Sequence, residues 1–338
     1  MCFLKVFQMD VKIEALKATY GDCIFVTIQD KESVFTIMID GGTPSTYSFK
    51  NKKQKSEAGP LKLKLSELRE RGRSIDLLII THVDNDHIGG ISRWFDEDMP
   101  SPDFVKCIWM NDDTEINASQ SLNNTPGLAA SLKETLTCNG FNLECQIVKG
   151  KEFSFNWGKI TILAPTADDH NKVARKIGAN LNNKENNNYR KSIKQLMEEG
   201  WKVDAVSDEN DASIAFLLQT NDGEKDLFLG DGNIDTINET LSGIKRAEKE
   251  INCKWVKLSH HGSKNNFRPE FLDYVRAENY IFSSNGDYYG HPDKEVMAWL
   301  VDKTDSTLWF NYLERGKEMV MAQDKEDYPD ILLRMKEI

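Results

Sequence analysis

Apolar residues occur in short runs along this chain, and glycine or polar residues end most of them. Short runs that alternate or are apolar throughout are typical of strands, whereas apolar residues three or four apart are typical of helices. Strands are predicted twice within residues 11–30 and at 34–39, 77–80, 104–109, 145–148, 160–163, 213–218, 226–229, 255–258 and 280–282. Helices are predicted at 61–71, 127–136, 189–199, 236–248 and 269–275, with others starting near residues 91 and 290. Strands thus alternate with helices in both halves, which predicts an α/β fold.

The largest group of potential metal ligands directly follows the apolar run 77–80. Four of the next residues carry imidazole or carboxylate groups: His82, Asp84, Asp86 and His87. Zn²⁺, Mn²⁺ and Fe share these ligand types. The alternative is a polar turn with two chance histidines, but the whole chain has only six, and we favour a metal site. The Gly89-Gly90 pair that follows predicts a tight turn away from the loop.

Polar side chains also follow other predicted strands. The five strand-end positions are Asp40, His82, Asp231, His260 and Ser284. Sites in α/β sheets gather at the edge where the carboxyl ends of the strands lie. These endings therefore predict that residues far apart in the chain build one metal centre.

Length and composition are those of a globular protein with a large core. With 338 residues, 39% hydrophobic and 29% charged, the chain fits one large α/β domain or two smaller ones. It has no apolar run of membrane-span length and no organised signal peptide, which predicts a cytoplasmic protein without membrane contact. Six cysteines without a Cys-x-x-Cys pair are expected to be free thiols. The net charge of −11 disfavours broad binding to nucleic acid, but permits a small positive groove or an acidic site that attracts cations.

The chain is interpreted as a single domain at residues 1–320. Its one long polar stretch, 166–209, is interpreted as a flap or a partner-binding insertion, with disorder as the alternative. Residues 321–338 are predicted to form a charged C-terminal tail.

Three positions of the histidine loop match the hallmark His-x-His-x-Asp-His, and the chain resembles the metallo-β-lactamase-fold hydrolases. The matching residues are His82, Asp86 and His87, whereas Asp84 replaces the second hallmark histidine. Asp231, within Leu-Gly-Asp-Gly, matches the aspartate that bridges two metals in that family. Either His260 or His261 matches the late histidine of the second metal.

Further motifs narrow the resemblance to the branch of the soluble hydrolase domain of the DNA-uptake protein ComEC. They are Tyr20-Gly21-Asp22, Asp40-Gly41-Gly42, Asn210-Asp211-x-Ser213, His260-His261-Gly262-Ser263 and Gly290-His291-Pro292. The resemblance spans roughly residues 10–315 and is specific for the fold. It implies a four-layer αβ/βα sandwich with the site at one edge, between two sheets.

The resemblance also implies two divalent metal ions, Zn²⁺ or Mn²⁺, bridged by Asp231 and a water held as hydroxide. The implied ligands are His82 and Asp84 for one ion, and Asp86, His87 and His260 for the other. Asp86 is also a candidate to orient the nucleophile or to transfer a proton. Either His170 or Asp211 could complete the first ion's ligands, and His261 competes with His260 for the late position.

Other polar residues are weaker candidates. His261, Ser263 and Lys264 suit contact with a phosphate or protonation of a leaving group, with a structural turn as an equal alternative. His291 is a candidate general acid or substrate contact, with helix capping as its alternative. Ser284 has weak support as a substrate contact.

Three functions are compatible with these residues. The favoured one is hydrolysis of a phosphodiester, in nucleic acid or a nucleotide, which the ComEC-like motifs support. The second is hydrolysis of an ester, lactone or amide by the same dinuclear centre. The third is a partner-binding module with a vestigial metal site, against which the intact His82, Asp86, His87 and Asp231 argue. A protein partner within a multi-component system is a further expectation.

Overall fold

The computed structural model describes residues 9–31, 33–111, 125–172, 187–202, 212–248 and 250–338. The first half builds a six-stranded sheet in the order β1-β2-β3-β6-β7-β8. Its elements, in chain order, are β1 (Asp10–Ala15), β2 (Ile24–Gln29), β3 (Val34–Ile39), α1 (Pro44–Tyr47), β4 (Ser48–Lys50), β5 (Ser56–Ala58), α2 (Pro60–Glu70), β6 (Leu77–Ile80), α3 (Asn85–Glu97), β7 (Ile108–Met110), α4 (Thr125–Cys138) and β8 (Leu143–Glu144). The first three strands pair antiparallel, and β3, β6, β7 and β8 pair parallel. Strands β4 and β5 form a separate small hairpin sheet.

The second half builds an eight-stranded sheet in the order β16-β15-β14-β13-β12-β11-β10-β9. Its elements are β9 (Glu152–Phe155), β10 (Gly158–Ala164), α5 (Ala167–Lys172), α6 (Ile193–Glu199), β11 (Ala215–Thr220), β12 (Lys225–Phe228), α7 (Ile234–Glu248), β13 (Ile251–Lys257), α8 (Phe271–Tyr274), β14 (Val275–Phe282), α9 (Lys294–Lys303), β15 (Thr307–Phe310), α10 (Leu313–Glu318), α11 (Ala322–Asp327), α12 (Ile331–Arg334) and β16 (Met335–Glu337). Strands β9 to β12 pair antiparallel, and β12 to β16 pair parallel.

Three apolar cores show how the layers stack. One joins the two sheets, with Ile37 and Ile79 of the first sheet and Ile162 and Phe216 of the second in the same cluster. A second core lies between the first sheet and helices α2, α3 and α4, and a third lies between the second sheet and helices that include α6, α7 and α9. Each sheet is therefore covered by helices on one face and by the other sheet on the opposite face. The predicted four-layer αβ/βα sandwich is confirmed.

Two segments that the sequence set apart pack against the second sheet. Residues 321–338 contain α11, α12 and the strand β16, which pairs with β15, so they are integrated into the fold although their surface is charged. Within the polar insertion, the described segment 187–202 buries Ile193 and Leu196 of α6 in the core of the second sheet. The helix predicted at 189–199 is thus present as α6, and it packs in the core although the stretch is polar on average. The described segment 166–172 contains α5, and the rest of the insertion, 173–186 and 203–209, lies outside the described residues.

No helix among the described residues is long and apolar enough to cross a membrane.

One buried carboxylate connects three of these helices, and its removal is a test of how the C-terminal segment is held. Asp324 of α11 accepts hydrogen bonds from Lys294 Nζ of α9 at 2.7 Å and from the backbone N–H of Ile193 in α6 at 2.6 Å. Both charged side chains are fully buried. Because Asp324→Ala leaves the Lys294 ammonium buried without its partner, we expect a loss of about 3–5 kcal/mol in the free energy of unfolding. Urea unfolding followed by circular dichroism measures it.

The control is Glu314→Ala, which removes the exposed ion pair with Lys317 in α10. Exposed pairs contribute little, so this change is expected to stay within about 0.5 kcal/mol. Equal effects of Asp324→Ala and Glu314→Ala would show that the buried pair does not hold the segment.

Candidate metal centre

The carboxyl ends of the parallel strands of both sheets lie at the same edge of the sandwich. In the first sheet, β3 leads into Asp40 and β6 leads into Thr81 and His82. In the second sheet, β12 is followed by Asp231 and β13 by the two adjacent histidines at 260 and 261. The backbone N–H of Ile214 donates to Thr81 O at 2.9 Å and links the two edges. The structure thus brings together the strand-end residues on which the sequence argument depended.

The histidine loop enters α3 directly. Asp84 is the residue before the helix, and Asp86 and His87 lie in its first turn. The predicted tight turn at Gly89-Gly90 is wrong, because both glycines lie inside α3. Their small size serves another purpose: a Cβ on Gly90 would lie 2.0 Å from the carbonyl oxygen of Gly41. The helix can therefore pack directly against the loop after β3, which brings Asp40 to His87.

The first two histidines are oriented through their Nδ1 atoms. His87 Nδ1 lies 2.8 Å from Asp40 Oδ2. Asp40 itself is fixed by the backbone N–H and the hydroxyl of Thr81, at 2.8 and 2.6 Å. His82 Nδ1 lies 3.0 Å from the Thr81 hydroxyl. Hydrogen bonds of this kind fix the ring and leave Nε2 for a metal.

The later pair of histidines is held in the same way. His261 Nδ1 lies 3.2 Å from Asp22 Oδ1 and 3.3 Å from the hydroxyl of Ser283. His260 Nδ1 lies 2.9 Å from Asn266 Oδ1. Both histidines adopt left-handed backbone conformations, with φ of 46° and 57°. Such conformations cost roughly 1 kcal/mol or more each in ordinary residues, and they cluster at functional sites.

The Nε2 atoms converge on two carboxylates. His87 Nε2 lies 3.4 Å from Asp231 Oδ2 and 3.9 Å from Asp86 Oδ2. His261 Nε2 lies 3.5 Å from Asp86 Oδ2 and 3.9 Å from Asp231 Oδ2. His82 Nε2 lies 3.7 Å from Asp231 Oδ2. Asp231 is therefore the common neighbour of all three imidazoles.

Two predicted ligands lie at the more open side of this cluster. Asp84 Oδ2 is 3.7 Å from His82 Nε2, and the Asp84 side chain is 47% exposed. His260 Nε2 is 3.7 Å from Asp231 Oδ2, and the His260 side chain is 21% exposed, whereas that of His261 is fully buried. Both histidines of the pair thus reach Asp231, one from within the site and one from its mouth.

These donors fit divalent metal ions. The Nε2 atoms of His82, His87 and His261 are buried and have no hydrogen-bond partner among the described residues. Buried polar atoms without a partner are costly, and a metal would satisfy them. The separations of 3.4–3.9 Å are close to the roughly 3.4 Å between two atoms that each lie about 2.1 Å from one tetrahedral Zn²⁺. Asp22, His87, Asp231 and His261 also form a fully buried group whose ligand atoms lie within 4.8 Å of one another.

Asp22 was not among the site residues proposed from the sequence. It accepts from Lys257 Nζ at 2.6 Å and from the Ser283 hydroxyl, and all three side chains are buried. A Cβ on Gly21 would lie 1.9 Å from the carbonyl oxygen of Asp86, so glycine allows this loop to approach the histidine loop. Asp22 belongs to the Tyr20-Gly21-Asp22 motif, and that motif was its only sequence signal. Lys257 gave none, because it lies within a strand.

The charges of the cluster shift its pKa values strongly. Burial alone would lower the pKa of His87, but Asp231, Asp40 and Asp86 raise it well above its ordinary value. Burial likewise opposes the charge of His261, yet Asp22 and Asp231 raise its pKa to about 9. The same histidines lower the pKa of Asp231 well below its ordinary value, against the effect of burial. The metal-free cluster is therefore a set of ion pairs at neutral pH.

Comparisons with known proteins agree with this architecture. Residues 17–99, which contain the histidine loop, match the model of the Metallo-beta-lactamase superfamily. The chain has the metallo-β-lactamase fold. A search of curated proteins found no match.

Solved structures of this fold resemble the chain at low identity. One is a metallo-beta-lactamase from Staphylococcus aureus subsp. aureus COL, with 12% identity, 70% of this chain and 52% of that chain covered, and a TM-score of 0.32. Another is the metallo-beta-lactamase fold protein YhfI from Bacillus subtilis, with 11% identity, coverage of 97% and 96%, and a TM-score of 0.40. A third is a diphosphatase from the PhnP family, with 10% identity, coverage of 93% and 80%, and a TM-score of 0.37. The chain spans about half the length of the staphylococcal protein.

The weaker site candidates of this metallo-β-lactamase fold lie around the centre. Ser263 accepts from the backbone N–H of Asn265 at 3.3 Å, and Ser284 accepts from that of Gly286 at 3.1 Å, which are contacts of turn residues. Lys264 Nζ lies 3.8 Å from Glu295 Oε1. His291 packs edge to face on His260, with ring centroids 5.0 Å apart. The side chain of His170 and the whole of Asp211 lie outside the described residues, so the choice between them stays a prediction.

Metal binding should release protons, because metal ions compete with protons for the Nε2 atoms of the imidazoles. In the metal-free protein, the raised pKa values keep His87 and His261 protonated at pH 7, whereas ligation needs both neutral. We expect at least two protons to be released at pH 7, one from each ring, and the apparent affinity to rise as the pH increases from 6 to 9. Isothermal titration of metal-stripped protein with Zn²⁺, in buffers of different ionisation enthalpy, measures the number of protons.

His261→Gln should release about one proton fewer, since it lacks one of the two titrating rings. Heats that do not depend on the buffer at pH 7 would contradict the ion-paired description of the metal-free cluster.

Proposed function

We propose that this protein is a metal-dependent hydrolase that cleaves phosphodiesters in a nucleotide or nucleic acid. The observation that supports it best is the convergence of three buried Nε2 atoms, of His82, His87 and His261, on the carboxylates of Asp86 and Asp231. The ComEC-like motifs of the sequence support the phosphodiesterase class within the fold. All five residues lie at the carboxyl edge of the two sheets.

Two divalent ions would be held by residues of both sheets. His82 and Asp84 would hold one ion, Asp86, His87 and His261 the other, and Asp231 would contact both. We assign the late position to His261 because its buried Nε2 faces Asp86 as well as Asp231. A donor set with several carboxylates beside imidazoles suits Mn²⁺ and Zn²⁺.

When bound, the metals lower the pKa of a water molecule and neutralise charge on the attacked group. The chain's own residues provide orientation and proton transfer. Asp40 and Asp22 hold the rings of His87 and His261 through Nδ1. At the mouth, His291 Nδ1 lies 3.2 Å from Asp293 Oδ2, and the His291 imidazole packs edge to face on that of His260. An imidazole in this position is suited to give a proton to the departing oxygen.

The charge of the site suits an anionic substrate. Two divalent ions outweigh the combined formal charge of the carboxylates of Asp84, Asp86 and Asp231. Of the two remaining buried carboxylates, Asp22 is compensated by Lys257, whereas Asp40 holds His87, which is neutral when it binds a metal. The two ions would therefore cancel the charge of these carboxylates and offer positive charge to a phosphodiester oxygen.

Hydrolysis of a chromogenic phosphodiester tests this proposal. Purified protein is stripped of metal and then given Mn²⁺ or Zn²⁺, with bis(p-nitrophenyl) phosphate as substrate. We expect turnover that depends on metal and that falls at least about 10³-fold in Asp231→Ala and Asp86→Ala, since each removes a carboxylate shared by the ligand histidines. Glu314→Ala, on the exposed face of α10, is the control for losses of activity that come from purification or metal stripping alone.

Turnover that survives Asp231→Ala would reject a mechanism through this centre. Metal-bound protein that cleaves esters or lactones but no phosphodiester would reject the substrate class and retain the hydrolase. Bound metal without turnover of any of these substrates would favour a binding module.

The assignment of His261 over His260 is tested by metal content. His261→Ala removes a buried imidazole that faces both carboxylates, so we expect a loss of about one metal ion per chain by elemental analysis. His260→Ala is expected to retain more metal than His261→Ala. The His260 ring lies at the mouth and faces Asp231 but not Asp86. The opposite order of metal contents would assign the ligand to His260.

A further inference from the structure

Three tyrosines form an aromatic cluster at the mouth of the metal centre. Tyr20 stacks on Tyr288 with ring centroids 4.9 Å apart and an interplanar angle of 20°. Tyr289 packs edge to face on both, at 5.7 Å from Tyr20 and 4.8 Å from Tyr288. Of these rings, Tyr288 is the most open, with 44% of the residue exposed. The stack therefore presents aromatic surface to solvent.

The cluster is continuous with the metal centre. The ring of Tyr289 lies 6.1 Å from that of His260 and stacks near His291 at 6.2 Å. Burial, and then the charges of Asp86 and Asp84, raise the pKa of Tyr289 well above its ordinary value, which reflects how near these carboxylates are. On the other side, Tyr20 precedes Gly21, where the chain touches Asp86. A group bound at the metals and a ring on Tyr288 could thus belong to one small molecule.

The loop that carries Tyr288 and Tyr289 is held at both ends. The backbone N–H of Asn285 donates to Thr19 O at 2.9 Å, which joins this loop to the one that carries Tyr20. Arg315 Nη2 donates to Gly290 O at 3.1 Å and its guanidinium lies over the ring of Tyr189. The three rings are therefore placed by the backbone before any ligand binds, which lowers the entropy cost of binding.

We infer that Tyr20, Tyr288 and Tyr289 form a base-stacking subsite, so that the substrate is a phosphodiester of nucleotide size with a planar base. Bases stack on aromatic side chains of this kind with little dependence on sequence. A base and its phosphate are separated by one sugar, which matches a stack that adjoins the metal centre. The net charge of −11 disfavours long polyanions and favours a small nucleotide over extended nucleic acid. This inference rests on the proposed phosphodiesterase function and adds the part of the substrate that the tyrosines recognise.

The test compares two substrates with the same leaving group. They are the p-nitrophenyl ester of thymidine 5′-phosphate, which carries a base, and methyl p-nitrophenyl phosphate, which does not. The measured quantity is the ratio of their kcat/KM values for the metal-loaded protein. We expect the wild-type protein to prefer the thymidine ester, and Tyr288→Ala to reduce the ratio by about 5-fold or more.

Tyr288→Phe should keep the ratio, because stacking needs the ring and not the hydroxyl. Phe49→Ala is the matched control, since Phe49 is an exposed aromatic residue on the small sheet β4–β5 and is not one of the clustered rings. A ratio that Tyr288→Ala leaves unchanged, with both esters still cleaved, would overturn the stacking subsite and leave the phosphodiesterase function standing.

Failure of the wild-type protein to cleave either ester would instead reject the proposed function. Binding then decides the stacking subsite by itself, through the fluorescence of 2-aminopurine riboside 5′-monophosphate, which stacking on an aromatic ring quenches. Quenching by the metal-loaded wild-type protein and by Tyr288→Phe, but not by Tyr288→Ala, would support the subsite. Equal signals from the wild-type protein and Tyr288→Ala would overturn it.

Discussion

The imidazole of His87 lies between the carboxylates of Asp40 and Asp231, and the arrangement of the whole site follows from this contact. All three side chains are buried between two sheets, where a charge without a partner costs several kcal/mol. Asp40 follows strand β3 of the first sheet, and His87 lies in helix α3, which follows strand β6 of the same sheet. Asp231 follows strand β12 of the second sheet. The contact therefore requires the carboxyl edges of both sheets to meet, and it requires α3 to approach the loop after β3 as closely as Gly90 permits.

A second buried ion pair has the same role for His261. Lys257 at the end of β13 neutralises Asp22 of the first half, and Asp22 in turn fixes His261. The first half of the chain thus supplies both orienting carboxylates, Asp40 for His87 of the same half and Asp22 for His261 of the second half. Because these partners hold the Nδ1 atoms, the Nε2 atoms have no internal partner among the described residues and face the shared carboxylates. Rings fixed in this way are prepared for metal ions and lose little freedom when the ions bind.

Around this fixed centre, the residues differ in how far they face solvent. Asp84, His260 and His291 lie at the more open side, and the tyrosine cluster continues from them. A charged, buried interior and an aromatic, partly exposed rim suit a substrate with an anionic part and a planar part. The described part of the polar insertion packs on the second sheet through Ile193 and Leu196, where α6 also meets the buried pair of Lys294 and Asp324.

The sequence by itself determined the strands of the fold and the candidates for the site, and the family resemblance implied the four layers. Apolar runs such as 77–80 and 255–258 predicted the strands because burial on a sheet selects apolar residues locally. Polar residues at the ends of those runs predicted where the site lies, since parallel strands place their carboxyl ends at one edge. The resemblance to the metallo-β-lactamase family rested on residues that are adjacent in the chain, such as His82, Asp86 and His87.

Only the tertiary structure decided the contacts between residues far apart in the chain. It distinguished the buried ring of His261 from the partly exposed ring of His260, which the two adjacent positions in the sequence do not separate. It also revealed the contact between Asp22 and Lys257, which lie more than two hundred positions apart, so that no local pattern predicts their pairing. The glycines at 89 and 90 were misread for the same reason: their size is required by a neighbouring segment, not by their own turn. Local patterns record burial and secondary structure, whereas charge compensation and close packing depend on which distant residues the fold brings into contact.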